Sequence, residues 1–281
     1  MTPPLVSIVC LCYNHERFVK EAIESALKQS YPHVELIVVD DCSTDRSVAR
    51  IREALAGRPD VEIILNPANR GNCRAFNDGF RKTKGEYIID LAADDILMPD
   101  RVARGVEAFQ SHDLKTGVTF SDAELINEAG ERLGLHSDRF PHTSIPQGDI
   151  YKDVLRKYFI NSPTMMIRRA VLERLGGYDE SLAYEDFDFW IRSSREYQYL
   201  YVAEPLVKRR MVRGSLGKEQ FKKGSAQLRS TLSVCGKAAM LNRSADEVAA
   251  LRSRISYEIR QCLKLREWRL AVAYFMLSRR I

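Results

Sequence analysis

The feature that most restricts the fold is an alternation in the first hundred residues. Apolar runs that read as strands are separated by segments with helical spacing. The run from Val6 to Cys12 is almost entirely apolar, as in a strand covered on both faces. Phe18, Val19, Ala22, Ile23, Ala26 and Leu27 then recur at helical spacing, and Tyr31-Pro32 closes that segment. A second run, Leu36-Ile37-Val38-Val39, stops at Asp40-Asp41. The helix expected next is capped by Ser43 or Thr44 and turns Val48, Ile51 and Leu55 inward. Residues 61–65 read as a third strand, 73–83 as a helix, and 86–91 as a fourth strand running into Asp94-Asp95. The resulting β-α-β-α-β-α-β order predicts an α/β fold, a mainly parallel sheet flanked by helices. Acidic residues stand just past the strand ends, the edge where open α/β sheets bind ligands.

Beyond Pro99 the pattern loosens. Residues 101–111 read as a helix, 117–120 as a short strand, 132–147 as a long polar loop with mobile character, 164–167 as a buried strand, and 186–196 as a helix with Phe187, Trp190 and Ile191 inward. From about Lys218 the sequence is helical throughout. Two units are expected, 1–216 and a helical extension, 217–281. The final segment, 267–280, is apolar with basic ends. It packs on the domain, pairs with a second copy as a homodimer, or lies on a membrane surface.

Hydrophobic residues make up 45% of the 281 and charged residues 29%, the balance of a globular chain rather than a disordered one. No apolar run is long enough to span a bilayer. The first residues show no basic region followed by an apolar stretch, so a cytoplasmic protein is expected. The formal charge of +5 is too mild to indicate nucleic acid. Its excess lies late, in Lys208-Arg209-Arg210, Arg213, Lys222-Lys223 and Arg279-Arg280. These clusters read as a solvated surface, or as a contact with anionic membrane or a phosphate-bearing acceptor. The six cysteines form no CxxC pair and read as buried free thiols. His15, His33, His112, His136 and His142 are assigned to surface or loop positions by default, the last two within the expected loop and so within reach of an acceptor.

Three acidic pairs carry the candidate chemistry. Asp94-Asp95 suits a hard divalent cation bridging to phosphate, or is a solvated turn before a helix. Asp40-Asp41 is placed to hydrogen-bond a nucleotide base or ribose, or caps a helix. Glu185-Asp186 offers a general base at a helix start, or again a cap.

Their order and setting resemble one family. Val6-Ser7-Ile8-Val9 to Tyr13-Asn14, then Ala26-Leu27-Lys28-Gln29-Ser30-Tyr31-Pro32, then residues 35–45 with Asp40-Asp41, are similar to the N-terminal signature of family 2 glycosyltransferases with the GT-A fold. The similarity continues through Asn69-Arg70-Gly71, Arg74-Ala75-Phe76-Asn77, Gly85-Glu86-Tyr87-Ile88, Asp94-Asp95, Met98-Pro99-Asp100-Arg101, Gly176-Gly177-Tyr178-Asp179-Glu180 and Glu185-Asp186 to Arg192, about three quarters of the chain. The resemblance implies an inverting transferase that moves a hexosyl or N-acetylhexosaminyl group from a nucleotide-sugar donor, UDP-linked by preference, in one displacement. Leu11, Cys12, Tyr13 and Asp41 border the base and ribose. Arg74, or Arg70, lies near the nucleotide or its phosphates. Asp94 and Asp95 match the metal motif for Mn²⁺ or Mg²⁺, with Asp95 coordinating directly. Asp186 matches the base, and Glu185 helps place the acceptor. That acceptor is a glycan or lipid-linked glycan of surface polysaccharide or glycolipid assembly, met at the inner face of the membrane.

One departure stands out. Many relatives carry a His shortly before a Gly-Ser, and here Val212 takes that place ahead of Gly214-Ser215. Arg209, Arg210 or Arg213 is then expected to meet the diphosphate. Two alternatives remain open. One is an impaired nucleotide-sugar-binding module of the same fold. The other is a sugar nucleotidyltransferase, disfavoured because Tyr13-Asn14-His15-Glu16 offers no glycine-rich phosphate loop.

Overall fold

The computed structural model describes residues 3–140, 144–212 and 222–281. The opening alternation is realised as β1 (Val6–Cys12), α1 (Val19–Leu27), β2 (Val34–Asp40), α2 (Ser47–Ala54), β3 (Glu62–Leu65), α3 (Asn72–Phe80) and β4 (Tyr87–Ala92). These four strands lie parallel in the order β3-β2-β1-β4. Side chains alternate across β1: Ile8, Cys10 and Cys12 enter a core under α1, while Val9 and Leu11 enter the core on the opposite face. The cysteines are free thiols, all buried except half-buried Cys42.

α2 corrects the expected cap. The helix begins at Ser47, and neither Ser43 nor Thr44 caps it. Asp45 Oδ1 accepts the Ser47 N–H at 2.9 Å.

The second half of the sheet is mixed. After β5 (Ile96–Leu97) and α4 (Arg101–Gln110) comes β6 (Thr116–Ile126), eleven residues long where a short strand was expected. β7 (Arg132–Leu135) pairs antiparallel with it, inside the expected loop. α5 (Tyr151–Arg156), β8 (Met166–Arg168), α6 (Arg169–Leu175), α7 (Asp186–Ser193) and β9 (Gln198–Arg210) complete this half. β8 runs antiparallel between β4 and β6, and β9 lies parallel to β6. Polar residues hid β6 from a hydropathy reading. Buried Asp122 is satisfied by the Ser137 N–H at 3.0 Å and the Ser137 hydroxyl at 2.5 Å, a partner fifteen residues away. His136 likewise is no surface residue. It is buried, with Nε2 2.9 Å from the Phe159 carbonyl, and burial lowers its pKa. His142 lies outside the described residues.

The C-terminal helices are α8 (Ala226–Leu241), α9 (Ala245–Lys264) and α10 (Trp268–Ser278). Val234, Cys235, Ala238, Leu251, Ile255, Cys262 and Tyr274 join the same core as β1, α3 and α7. The 216/217 boundary falls outside the described residues. No described helix is long and apolar enough to cross a membrane.

α3 matters most for the site, because its N-terminus faces the strand ends. Gly79 lets it lie close to the sheet: a Cβ there would stand 2.5 Å from Val9 Cγ1 and 2.9 Å from Val39 Cγ2. Gly79→Ala is therefore expected to destabilise the fold by about 1–3 kcal/mol through overpacking. Chemical denaturation checks this, and an unchanged midpoint contradicts it.

Candidate functional site

Three strand ends are tied together by main-chain bonds. The Ala93 N–H donates to Leu11 O, the Asp41 N–H to Cys12 O, and the Asn66 N–H to Asp40 O, each at 2.9 Å. The chain leaving β1 turns at Asn14, whose positive φ of 57° an asparagine tolerates. Asn14 Oδ1 accepts the Thr44 N–H at 2.8 Å, and the His15 N–H donates to Ser47 Oγ at 2.9 Å. Leu11 and Cys12 are buried at this edge, and Tyr13 stands 45% exposed beside it.

Neither member of the first acidic pair is a helix cap. Asp40 accepts the Ser43 N–H and hydroxyl. Asp41 is buried and accepts from Asn66 Nδ2 at 2.9 Å, the Arg70 N–H at 3.0 Å and the Gly71 N–H at 2.8 Å. It fixes the loop that delivers α3. At the far side of that loop, Asn72 Nδ2 donates to Glu185 Oε2 at 2.7 Å. Glu185 forms no side-chain cap on α7. Asp41 and Glu185–Asp186 thus lie on either side of the α3 N-terminus.

The last pair joins the same edge. Asp95 is no solvated turn residue: it is 3% exposed, and its Oδ1 accepts the Arg210 N–H at 2.8 Å. Asp94 is half-buried, 4.0 Å from His15 Nε2. Burial, and then the charge of Asp94, push Asp95 up to about 8, against the opposing pull of Arg209 and Arg210. Asp186 is raised by burial and eased by the Ser162 hydroxyl and Arg209. Its Oδ1 is buried and has no hydrogen-bond partner among the described residues. Glu185 is raised further, by burial and then by the charges of Asp186 and Asp90. Arg209, half-buried near the end of β9, therefore acts on both Asp95 and Asp186.

The expected roles of the arginines divide. Arg210 is unavailable to a diphosphate, because its guanidinium is spent on structure. It donates to Glu21 Oε2 at 2.6 Å and Asp94 O at 3.0 Å, and stacks 4.7 Å from the Phe18 ring centroid. Arg213 lies outside the described residues. Arg209 acts on Asp95 and Asp186. Arg74 pairs with Glu180 at 3.4 Å and Arg70 with Asp78 at 2.7 Å.

Hard oxygen donors at Asp94 and Asp95 fit a divalent cation, and the raised proton affinity of Asp95 marks a site short of positive charge. Among the described residues no group of three or more His, Cys, Asp or Glu is placed to hold a metal. Water or the ligand's own oxygens would have to complete the shell. Val212, half-buried, supplies none.

Asp90 escaped the sequence reading. It is half-buried on β4 and pushed up to about 7 by burial and by Asp186. The available signal was a lone acid within the apolar Tyr87–Ala92 run. Asn72 and Ser162 left no such trace.

A family model described as Glycosyl transferase family 2 matches residues 7–176. An uncharacterized glycosyltransferase of Rickettsia typhi is 31% identical over 212 residues, 74% of this chain and 64% of the relative, so the chain spans just under two thirds of that protein. TuaG of Bacillus subtilis, a glycosyltransferase whose name assigns it to teichuronic acid biosynthesis, is 30% identical over 168 residues, 59% of this chain and 63% of TuaG. Among solved structures, S. aureus TarS in complex with UDP-GlcNAc has a TM-score of 0.67 at 17% identity, covering 92% of this chain and 72% of that one. The mannosyltransferase PcManGT of Pyrobaculum calidifontis, in complex with GDP-Man and Mn²⁺, scores 0.66 at 16% identity, covering 99% and 86%. These likenesses establish the GT-A architecture.

Asp90 provides a pH signature. Its carboxyl holds its proton more tightly folded than unfolded, so stability falls as pH rises from the unfolded value, about 4, to the folded value of about 7. Asp90→Asn removes that loss. The metal-free variant is expected to melt above the parent at pH 8, with an advantage that shrinks toward pH 4.5. An advantage of constant size across that range contradicts the assignment.

Proposed function

The chain belongs to glycosyl transferase family 2, and from that membership we propose that it moves a hexosyl or N-acetylhexosaminyl group from a nucleoside-diphosphate sugar to an acceptor hydroxyl, with inversion, in one displacement. The observation that carries this reading is the gathering of Asp41, Asp95, Glu185 and Asp186 at one sheet edge, with the charge of Arg209 acting on both Asp95 and Asp186. Leu11, Cys12, Tyr13 and Asp41 border the base and ribose, and Arg74 would have to leave Glu180 to reach the phosphates. A Mn²⁺ or Mg²⁺ ion at Asp94 and Asp95 would supply charge to offset the departing diphosphate. The bound nucleotide sugars of TarS, UDP-GlcNAc, and of PcManGT, GDP-Man with Mn²⁺, support a donor of this class, and a UDP sugar is favoured.

Asp186 takes the acceptor proton on its unpartnered Oδ1 as the acceptor oxygen bonds to the anomeric carbon. The bond from that carbon to the phosphate oxygen breaks, and its electron pair leaves with the nucleoside diphosphate. Arg209 faces this developing charge. Burial makes Asp186 a stronger base than an exposed carboxylate. Glu185, tied to Asn72, borders the acceptor. The acceptor is a glycan or lipid-linked glycan of surface polysaccharide assembly, a setting consistent with the name of TuaG. An impaired binding module is the second reading, and Val212 at the His position favours it.

Features of the last helix support a membrane location for this reading. On α10, Trp268, Val272, Phe275 and Met276 are 52–61% exposed, opposite buried Ala271 and Tyr274. Residues 260–281 carry six Lys or Arg against one Glu. Basic charge around an apolar strip complements anionic lipid and would repel a second copy laid on the same face. The protein then works at the inner, cytoplasmic face of the membrane.

Asp186→Asn is expected to lower kcat by about 10²–10⁴-fold with donor affinity retained, read as nucleoside diphosphate release. Turnover at the parent's rate removes the base assignment. Vesicles of phosphatidylglycerol are expected to pull down the parent, and those of phosphatidylcholine to do so weakly. The Trp268→Ala/Phe275→Ala variant should lose this binding. Absence of binding, or a dimer that this variant dissolves, overturns the lipid contact.

A further inference from the structure

The segment that carries Asp186 is held from one side by a helix of the C-terminal extension. Lys237 of α8 reaches Asp188 Oδ1 and Asp179 Oδ2, each at 2.5 Å. These carboxylates flank Glu185–Asp186 in sequence. Between them, the Ala183 N–H donates to Ser230 Oγ at 2.9 Å, and the Tyr184 and Thr231 hydroxyls lie 2.8 Å apart. Ser230, Thr231 and Lys237 all project from α8, so the approach to the base, its first helical turn and the turn before it meet one rigid element. Asp188 is also gripped by Arg192 Nε at 2.6 Å. That guanidinium donates onward to the carbonyls of Leu175 at 2.9 Å and Gly177 at 3.1 Å.

The base itself lacks this support, since Asp186 Oδ1 has no hydrogen-bond partner among the described residues. Apart from the Ser162 hydroxyl, its position depends on the backbone of the first turn of α7. A displacement of about 1 Å at a reacting group is enough to lower a rate about 10²-fold, and sites stay within tolerance only when a supporting shell holds them.

We propose that α8 is a brace for the general base, with Lys237 as its positioning residue, so the helical extension 217–281 is a working part of the catalytic unit 1–216. Lys237 acts through Asp179 and Asp188. It shares buried Asp188 with Arg192 and pins Asp179 at the same time, and loss of its charge loosens both ends of the segment. The proposal rests on Asp186 being the base.

The test compares the full chain with Lys237→Met, Lys237→Arg and the milder Ser230→Ala/Thr231→Val. Lys237→Met is expected to lower kcat about 10-fold or more with KM for the donor unchanged. Lys237→Arg should restore most of that loss, and the double variant should show a smaller loss of the same kind. Hydrogen exchange should quicken in residues 180–189 and stay as in the parent in β1 and β2. An unchanged kcat in Lys237→Met overturns the proposal, as does equal acceleration of exchange across the whole sheet. If Asp186→Asn turns over normally, the base assignment fails instead. The local exchange change at residues 180–189 still decides whether α8 holds the segment.

Discussion

Carboxylates gathered out of water, with too little positive charge to match them, form the constraint on which this molecule depends. Asp90, Asp95, Glu185 and Asp186 each hold protons more tightly than an exposed acid, first because burial disfavours their charged form; a neighbouring acid adds to this at Asp90, Asp95 and Glu185. Of the basic groups nearby, Arg210 is committed to Glu21 and to main-chain carbonyls, which leaves Arg209 to act on Asp95 and Asp186. An arrangement of this kind is unfavourable in isolation. It becomes useful when a ligand brings a cation and a diphosphate together, because the cation answers the acids and the anion answers Arg209.

Holding like charges together takes rigid backbone, and the parallel half of the sheet supplies it. Carbonyls of Leu11, Cys12 and Asp40 receive amides from the loops that carry Asp94, Asp41 and Asn66. Asp41 then fixes the turn into α3, and Asn72 at the start of that helix reaches Glu185. The antiparallel half contributes from the other side, since β9 ends at Arg210 beside Asp95. The C-terminal helices enter the same core, so stability and site geometry are not separable along the chain.

What was legible in the amino-acid sequence follows from locality. β1, β2 and β4 are short apolar runs, the last two leading into acids, and the three acidic pairs could be found without knowing their neighbours. β6, β7 and β9 were obscured because their polar residues are satisfied by distant partners. Asp122 needs Ser137, and β9 carries Pro205 and a basic run that reads as surface. Arg210 looked like a free cation because Glu21, 189 residues away, gives no sequence trace. His136 looked exposed for the same reason. Lys237 sits in a helix whose sequence says nothing of the loop it clamps.

The most direct measurement is a crystal structure of the protein with Mn²⁺ and an unreactive UDP-sugar analogue, phased to show manganese by anomalous scattering. The account predicts one manganese peak beside Asp94 and Asp95, the diphosphate between it and Arg209, and the anomeric carbon turned toward Asp186. A nucleotide bound away from the ends of β1, β2 and β4, or a peak without contact to Asp94 or Asp95, would contradict it.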